Sequence, residues 1–192
     1  MIGRPRSEHA REAILGATLR LVARDGYPAV TIKGIAAAAG VGRQTVYRWW
    51  PTKADVVLDA VVDLAARTSQ PEPHGEALAD VRRTLRATFS QQIAGPAITG
   101  LMAEATHDPE FAGKFQRLLL APRRKVVRDL IVAGQERGQL GSGYDIDLAV
   151  DLVFGIMWYR VLSGHAPVDP ALADQLTDTL ARLLGPGGGD NR

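Results

Sequence analysis

Apolar residues recur at intervals of three and four along almost the whole chain, and no stretch alternates with the period of two of a half-buried strand. Ala10, Ile14, Ala17, Leu21 and Val22 form one stripe of a predicted first helix, with Ser7 as its N-cap and Gly26 as the residue that ends it after Asp25. Thr31 is placed to cap a short second helix over 32–39, Gly40-Val41-Gly42 predicts a tight turn, and a third helix is expected over 43–50. Thr52-Lys53-Ala54-Asp55 has capping-box spacing and precedes the apolar run Val56, Val57, Ala60, Val61, Leu64 of a fourth helix. The segment 68–75 (TSQPEPHG) is a polar, proline-containing break.

Further helical segments follow that break. One carries Leu78, Val81, Leu85, Phe89 and Ile93 and is expected to stop at Gly95-Pro96; a short one covers 97–106. Asp108-Pro109-Glu110 combines a cap, a first-turn proline and a dipole-matched acid, and opens a helix with Phe111, Phe115, Leu118 and Leu119. Pro122 is read as a restart leading to about Gly138, a loop covers 139–144, and a long helix spans 146–163. Asp169-Pro170 opens the last helix, which Gly185-Pro186 closes. The expected class is all-α, with about nine to ten helices: an N-terminal domain of short helices at 1–52, a larger helical domain at 53–186, and a disordered tail at 187–192.

Composition narrows the classes of function. The 192 residues are 46% hydrophobic and 23% charged, which fits a globular chain and not wholesale disorder. Without cysteine there are no disulfides, thiolate zinc sites or thiol nucleophiles. The first twenty residues hold scattered charges and no apolar core of a signal peptide, and the longest apolar run, 152–159, is far shorter than the ~20 residues of a spanning helix. A soluble cytoplasmic protein that contacts no membrane is the expectation. Net charge is only +2, but residues 1–55 hold nine Lys/Arg against four Asp/Glu, so a basic head sits on a mildly acidic remainder.

Three short helices with a glycine turn between the second and third describe a helix-turn-helix. Small residues (Gly34, Ala36, Ala37, Ala38, Ala39) allow the second helix close approach, Gly40 suits a positive φ, and Val41 and Val46 are placed to fill the space between the two helices. Arg43, Gln44, Thr45, Tyr47 and Arg48 are then left to face outward, and no acid occurs between Asp25 and Asp55. These side chains donate to base edges or phosphates.

The run Thr31-Ile32-Lys33-Gly34-Ile35-Ala36-Ala37-Ala38-Ala39-Gly40-Val41-Gly42-Arg43-Gln44-Thr45-Val46-Tyr47-Arg48-Trp49-Trp50-Pro51-Thr52-Lys53 resembles the N-terminal signature of the TetR family of bacterial transcriptional regulators. The resemblance covers about residues 11–58. It implies a cytoplasmic, nucleoid-associated homodimer whose two heads bind a palindromic operator in double-stranded DNA, with a C-terminal domain that senses a small molecule. It also implies that the third helix reads DNA, with Arg43, Gln44 and Thr45 at base edges and adjoining phosphates, and Tyr47 and Lys53 on phosphate. Thr31 and Lys33 then meet the backbone at the start of the second helix, with Arg48 and Trp49 beside it. Arg4 and Arg6, ahead of the first helix, extend along the duplex. The chain departs from the family pattern at Trp49-Trp50, where members commonly carry a His-Phe or similar pair; Trp50 is expected to pack inward.

The helix at 146–163 is apolar nearly all round, so one face needs a partner beyond its own core. Two C-terminal helices per subunit are expected to form the dimer contact, with Val153, Met157, Leu176, Leu180 and Leu183 as its candidates. An effector pocket between the middle helices is assigned to Phe89, Met102, Phe115, Trp158 and Tyr159. No cofactor and no metal are expected: Glu104-Ala105-Thr106-His107 is a single Glu-x-x-His where a di-iron bundle needs two copies and two further glutamates. No G-x-S-x-G, P-loop or G-x-G-x-x-G occurs, so a catalytic group is not identified. An all-α enzyme and a helical protein-interaction adaptor are the alternatives, and neither accounts for the basic head.

Overall fold

The computed structural model describes residues 4–68, 74–90 and 94–185, with the side chains of 4–6, 68 and 94 left aside. Ten α-helices run among the described residues: α1 (Arg4–Asp25), α2 (Ile32–Ala38), α3 (Arg43–Tyr47), α4 (Lys53–Thr68), α5 (Ala77–Phe89), α6 (Ala94–His107), α7 (Pro109–Phe115), α8 (Ala121–Glu136), α9 (Ile146–Ser163) and α10 (Pro170–Leu184). None of the described helices is long and apolar enough to cross a membrane. The predicted tail at 187–192 and the centre of the predicted break at 69–73 lie outside the described residues.

Caps predicted from sequence form as hydrogen bonds. Thr31 Oγ1 accepts the Gly34 amide at 3.0 Å, Asp108 accepts the amides of Glu110 and Phe111, and Asp169 accepts that of Leu172. Thr52 and Asp55 exchange amide-to-side-chain bonds of 3.1 Å each, closing the capping box at α4. Gly26 and Gly40 both carry positive φ, 76° and 67°, where the chain leaves α1 and α2.

Three boundaries differ from the sequence expectation. The first helix begins at Arg4, so Ser7 lies within it and Arg4 and Arg6 belong to its first turns, not to an arm ahead of it. Gly95 and Pro96 fall inside the first turns of α6, where a proline removes an amide that has no helical acceptor anyway. At Pro122 the chain does not break. Residues Gln116–Leu120 wind as one π-type turn joining α7 to α8. The wider turn accommodates the proline ring where an ordinary α-turn would crowd the carbonyl four residues back.

The helices gather into two compact units, one of Met1–Ala66 with Ile93–Leu119 and one of Arg67–Gln92 with Leu120–Arg192. In the first, α1 packs against α2 and α6, α2 against α3, and α6 against α7. Thus α6 and α7, which the sequence places with the effector domain, share a unit with the helix-turn-helix. Its core includes Ile14, Leu15, Val22, Ile35, Val46, Val57, Leu58 and Leu101. In the second, α5 lies against α10 and α8, and α8 against α9, around Val81, Leu85, Phe89, Ile131, Val153, Phe154, Leu176 and Leu180. Arg82 and Arg86 of α5 reach Asp178 and Asp174 of α10 at 2.6 and 2.9 Å. Arg128 of α8 meets Asp147 of α9 at 3.0 Å. These exposed pairs set register more than stability, because solvent screens them.

Candidate nucleic-acid interface

The second helix buries Ile35 and Ala36 against its neighbours, and Thr31 holds its first turn. The Gly40 and Val41 amides bond back to Ala37 and Ala36, which closes the turn, and the Thr45 amide bonds to Gly42 and starts α3. Val46, fully buried, anchors α3 from its inner side. Arg43, Gln44, Tyr47 and Arg48 are exposed and Thr45 half-buried; Thr31 and Lys33 are exposed at the start of α2. Tyr47 keeps 50% of its surface accessible, uncommon for a side chain that would gain by burial. The described residues 26–54 put no carboxylate beside this face.

The two tryptophans divide as the sequence suggested for the second of them. Trp50 is buried and its indole N–H donates to Asp59 Oδ2 of α4 at 2.9 Å; Arg11 of α1 donates to the same oxygen at 3.4 Å. The chain leaving α3 is thereby fastened to α1 and α4. Trp49 stays half-buried, edge-on to Trp50 at 5.4 Å, with the Arg48 guanidinium 6.0 Å from its ring centre.

Lys53 has partners the sequence did not reveal. Its Nζ lies 4.4 Å from the centre of the Tyr27 ring and donates to the Tyr27 carbonyl at 3.3 Å. The Tyr27 hydroxyl in turn donates to Glu104 Oε1 of α6 at 2.9 Å. Burial and the Glu104 carboxylate hold the Tyr27 phenol well above the usual range, so it is a hydrogen-bond donor at any physiological pH. Lys114 of α7 reaches Asp55 at 3.3 Å, and that bond raises the lysine pKa. Helices α6 and α7 are therefore tied to the start of α4 by two polar links. Glu104 is one half of the lone Glu-x-x-His pair, and no spacing rule pointed to Tyr27 as its partner 77 residues away.

The remaining predicted sites are less well gathered. Arg4 and Arg6 have side chains outside the described residues. Of the dimer candidates, Val153, Met157, Leu176 and Leu180 are 5% exposed or less, sealed in the core of their own protomer, while Leu183 is half-buried against it. Those four serve cohesion of the unit and leave no surface for a partner, whereas Leu183 keeps part of its surface open. The exposed apolar row on α9 is Leu148, Leu152, Ile156, Tyr159 and Leu162. Of the pocket candidates, Phe89 is core of the second unit and Phe115 core of the first, where it stacks on Phe111; Met102 is half-buried on α6. Tyr159 faces outward beside His165. Trp158 does line a cavity, with Phe154, Met157 and Leu120.

Comparison with known proteins decides what this head belongs to. Residues 14–60 match the model of bacterial regulatory proteins of the tetR family, and residues 71–180 match the tetracyclin repressor-like C-terminal domain. The chain belongs to the TetR family. It is a DNA-binding transcriptional regulator of the helix-turn-helix type. It is similar to the HTH-type regulator YdeS of Bacillus subtilis, 32% identical over 95% of this chain and 89% of that one. It is also similar to the DNA-binding transcriptional repressor TetR of Mycobacteroides abscessus, 26% identical over 93% of this chain and 95% of the other. Among solved structures, the TetR family transcription regulator SCO0332 superposes with a TM-score of 0.74 at 28% identity, over 92% of this chain and 99% of that one.

Proposed function

We propose that the regulator is a homodimeric repressor that binds a palindromic operator through Arg43, Gln44, Thr45 and Tyr47 and is released by a small, partly apolar ligand. The observation that carries the DNA assignment is the two-sidedness of α3: Val46 locks its inner side, and Trp50 the chain just beyond it, while Arg43, Gln44 and Tyr47, with Arg48 at the C-cap, are exposed on the outer side. Arginine pairs with guanine O6/N7 and glutamine with adenine N6/N7; Tyr47 and Arg48 suit phosphate. Repression is supported by the likeness to a repressor across most of both chains.

Two substitutions separate reading from gripping. Arg43→Ala is expected to relax preference at one base position of each half-site, costing about 1–3 kcal/mol on the preferred base. Arg48→Ala is expected to weaken binding to every duplex alike and to lower the salt slope by about one. Fluorescence anisotropy on operator and random duplexes over a salt series distinguishes them. If the double variant binds operator as tightly as the parent, α3 does not read DNA. An adaptor or enzyme would show no salt-steep retention on random duplex at all.

The dimer is supported by the row on α9. Five large apolar side chains at spacings of three and four make a continuous stripe, and stripes of this kind are uncommon on monomers. A pair of heads about 34–36 Å apart enters successive major grooves, so association multiplies operator affinity. Leu152→Glu with Ile156→Glu is expected to shift the protein to monomer in sedimentation and to weaken operator binding more than half-site binding. An unchanged sedimentation coefficient would place the dimer contact elsewhere.

Ligand release is supported at the level of the fold. Structures sharing it include a regulator from Saccharomonospora viridis in complex with choline and FadR from Bacillus subtilis in complex with stearoyl-CoA. One of those ligands is a cation and the other an anion, so the fold leaves ligand charge open. Whatever molecule acts must bind the released conformer better than the operator-bound one.

A further inference from the structure

A cavity of about 300 Å³ opens between the start of α8 and the middle of α9, lined by Leu120, Arg123 and Arg124 on one helix and by Asp151, Phe154 and Trp158 on the other. Its walls are mainly apolar, yet it contains two guanidinium groups. Arg124 is neutralised by Asp151 across the helices. Arg123 has no carboxylate paired with it among the described residues, and its Nε is buried with no hydrogen-bond partner among them. Burial alone pushes its pKa down to about 10, with no carboxylate acting against that loss. At neutral pH the group is still charged, so the cavity wall carries a positive charge whose Nε has no partner among the described residues.

A buried cation without a partner is costly, and proteins pair or hydrate such groups. An unpaired Nε is also the inner half of the side-on fork with which arginine grips two oxygens of one oxyanion. Phe154 and Trp158 supply aromatic surface for an apolar body attached to that anion. We propose that this cavity binds an apolar molecule carrying a single oxyanion such as a carboxylate, held by Arg123. Such a molecule is the class of effector that releases the operator, a consequence that rests on the ligand-responsive reading above; the binding itself does not.

The test uses the full-length dimer and one decyl chain with three ends: decanoate, decan-1-ol and decyltrimethylammonium. Calorimetric titration without DNA is expected to show saturable decanoate binding at least about tenfold tighter than decan-1-ol, the scale of one charge-assisted hydrogen bond. Decyltrimethylammonium is expected to be rejected. Arg123→Met is expected to erase the preference for decanoate over decan-1-ol while leaving operator affinity in the absence of ligand intact, which shows the variant is folded. Arg123→Lys keeps the charge without the fork and is expected to retain part of the preference. No saturable decanoate binding, equal affinity for acid and alcohol, or a preference surviving in Arg123→Met each overturns the proposal. Decanoate binding that leaves the operator occupied supports the site and refutes ligand release, so the two readings fail separately.

Discussion

Gly100→Ala is expected to destabilise the unit that carries the helix-turn-helix by about 1–3 kcal/mol, the range for forcing an extra carbon into a packed core. A Cβ at Gly100 would fall 2.1 Å from Tyr27 Cγ and 2.5 Å from Tyr27 Cβ. Those are the root of the side chain, not a flexible end, so the ring cannot swing away without moving its own backbone. The ring is also held at its far side: Tyr27 is 5% exposed, its hydroxyl is on Glu104, and Lys53 sits over its face. Urea unfolding checks the cost. The cause is checked by the double variant Gly100→Ala with Tyr27→Ala, in which the new methyl occupies space the ring has left. Its loss should be smaller than the sum of the two single losses, since contacting sites couple. Strict additivity would mean that α6 does not abut Tyr27 as closely as stated.

Asp80→Ala is expected to have a comparable effect in the other unit. The carboxylate is 2% exposed in α5, accepts the amides of His74 and Gly75 at 2.9 and 3.0 Å, and is bonded by Arg83. Glu76, the formal N-cap, makes no side-chain capping bond; Gln139 Oε1 takes the Ala77 amide, and Asp80 fastens the segment that leads into α5. Removing it leaves two part-buried amides unmatched, at about 1 kcal/mol or more, and takes from Arg83 its buried counter-charge. Arg83 keeps 35% of its side chain in solvent, which moderates the second part. Asp80→Asn retains an acceptor oxygen and is expected to lose roughly half as much. Equal midpoints for the alanine and asparagine variants in urea would show that the carboxylate is not the acceptor that matters.

Both positions show where sequence reasoning ran out. Neither Gly100 nor Asp80 stands in a motif; each gains its importance from a neighbour the chain brings back to it. The exposed side chains of α3 behave differently. Arg43, Gln44 and Tyr47 are legible because the glycine turn, the small residues of α2 and the 3.6 periodicity of α3 fix which side chains face out, all within 20 residues. Lys53 is an intermediate case: its place at the start of α4 is set by the local capping box, but its contact with Tyr27 is not.

The α9 assignments failed for a related reason. A helix apolar nearly all round carries no phase, so its sequence does not tell the core face from the partner face. Packing against α8 chose Val153 and Met157 for the core and left Leu148, Leu152 and Ile156 outside. The scattering of the five pocket candidates follows likewise, because aromatic bulk fills cores and cavities alike.

By itself the sequence determined which segments are helical, the caps at Thr31, Thr52, Asp108 and Asp169, and the outward face of α3, since hydrogen bonds and periodicity within one or two turns settle each of them. Tertiary structure alone decided that Glu104 meets Tyr27, that α6 and α7 join the head, and that Arg123 lines an apolar cavity with its Nε unmatched among the described residues. Those facts depend on which surfaces meet across tens of residues, and burial there is set by the packing of whole helices.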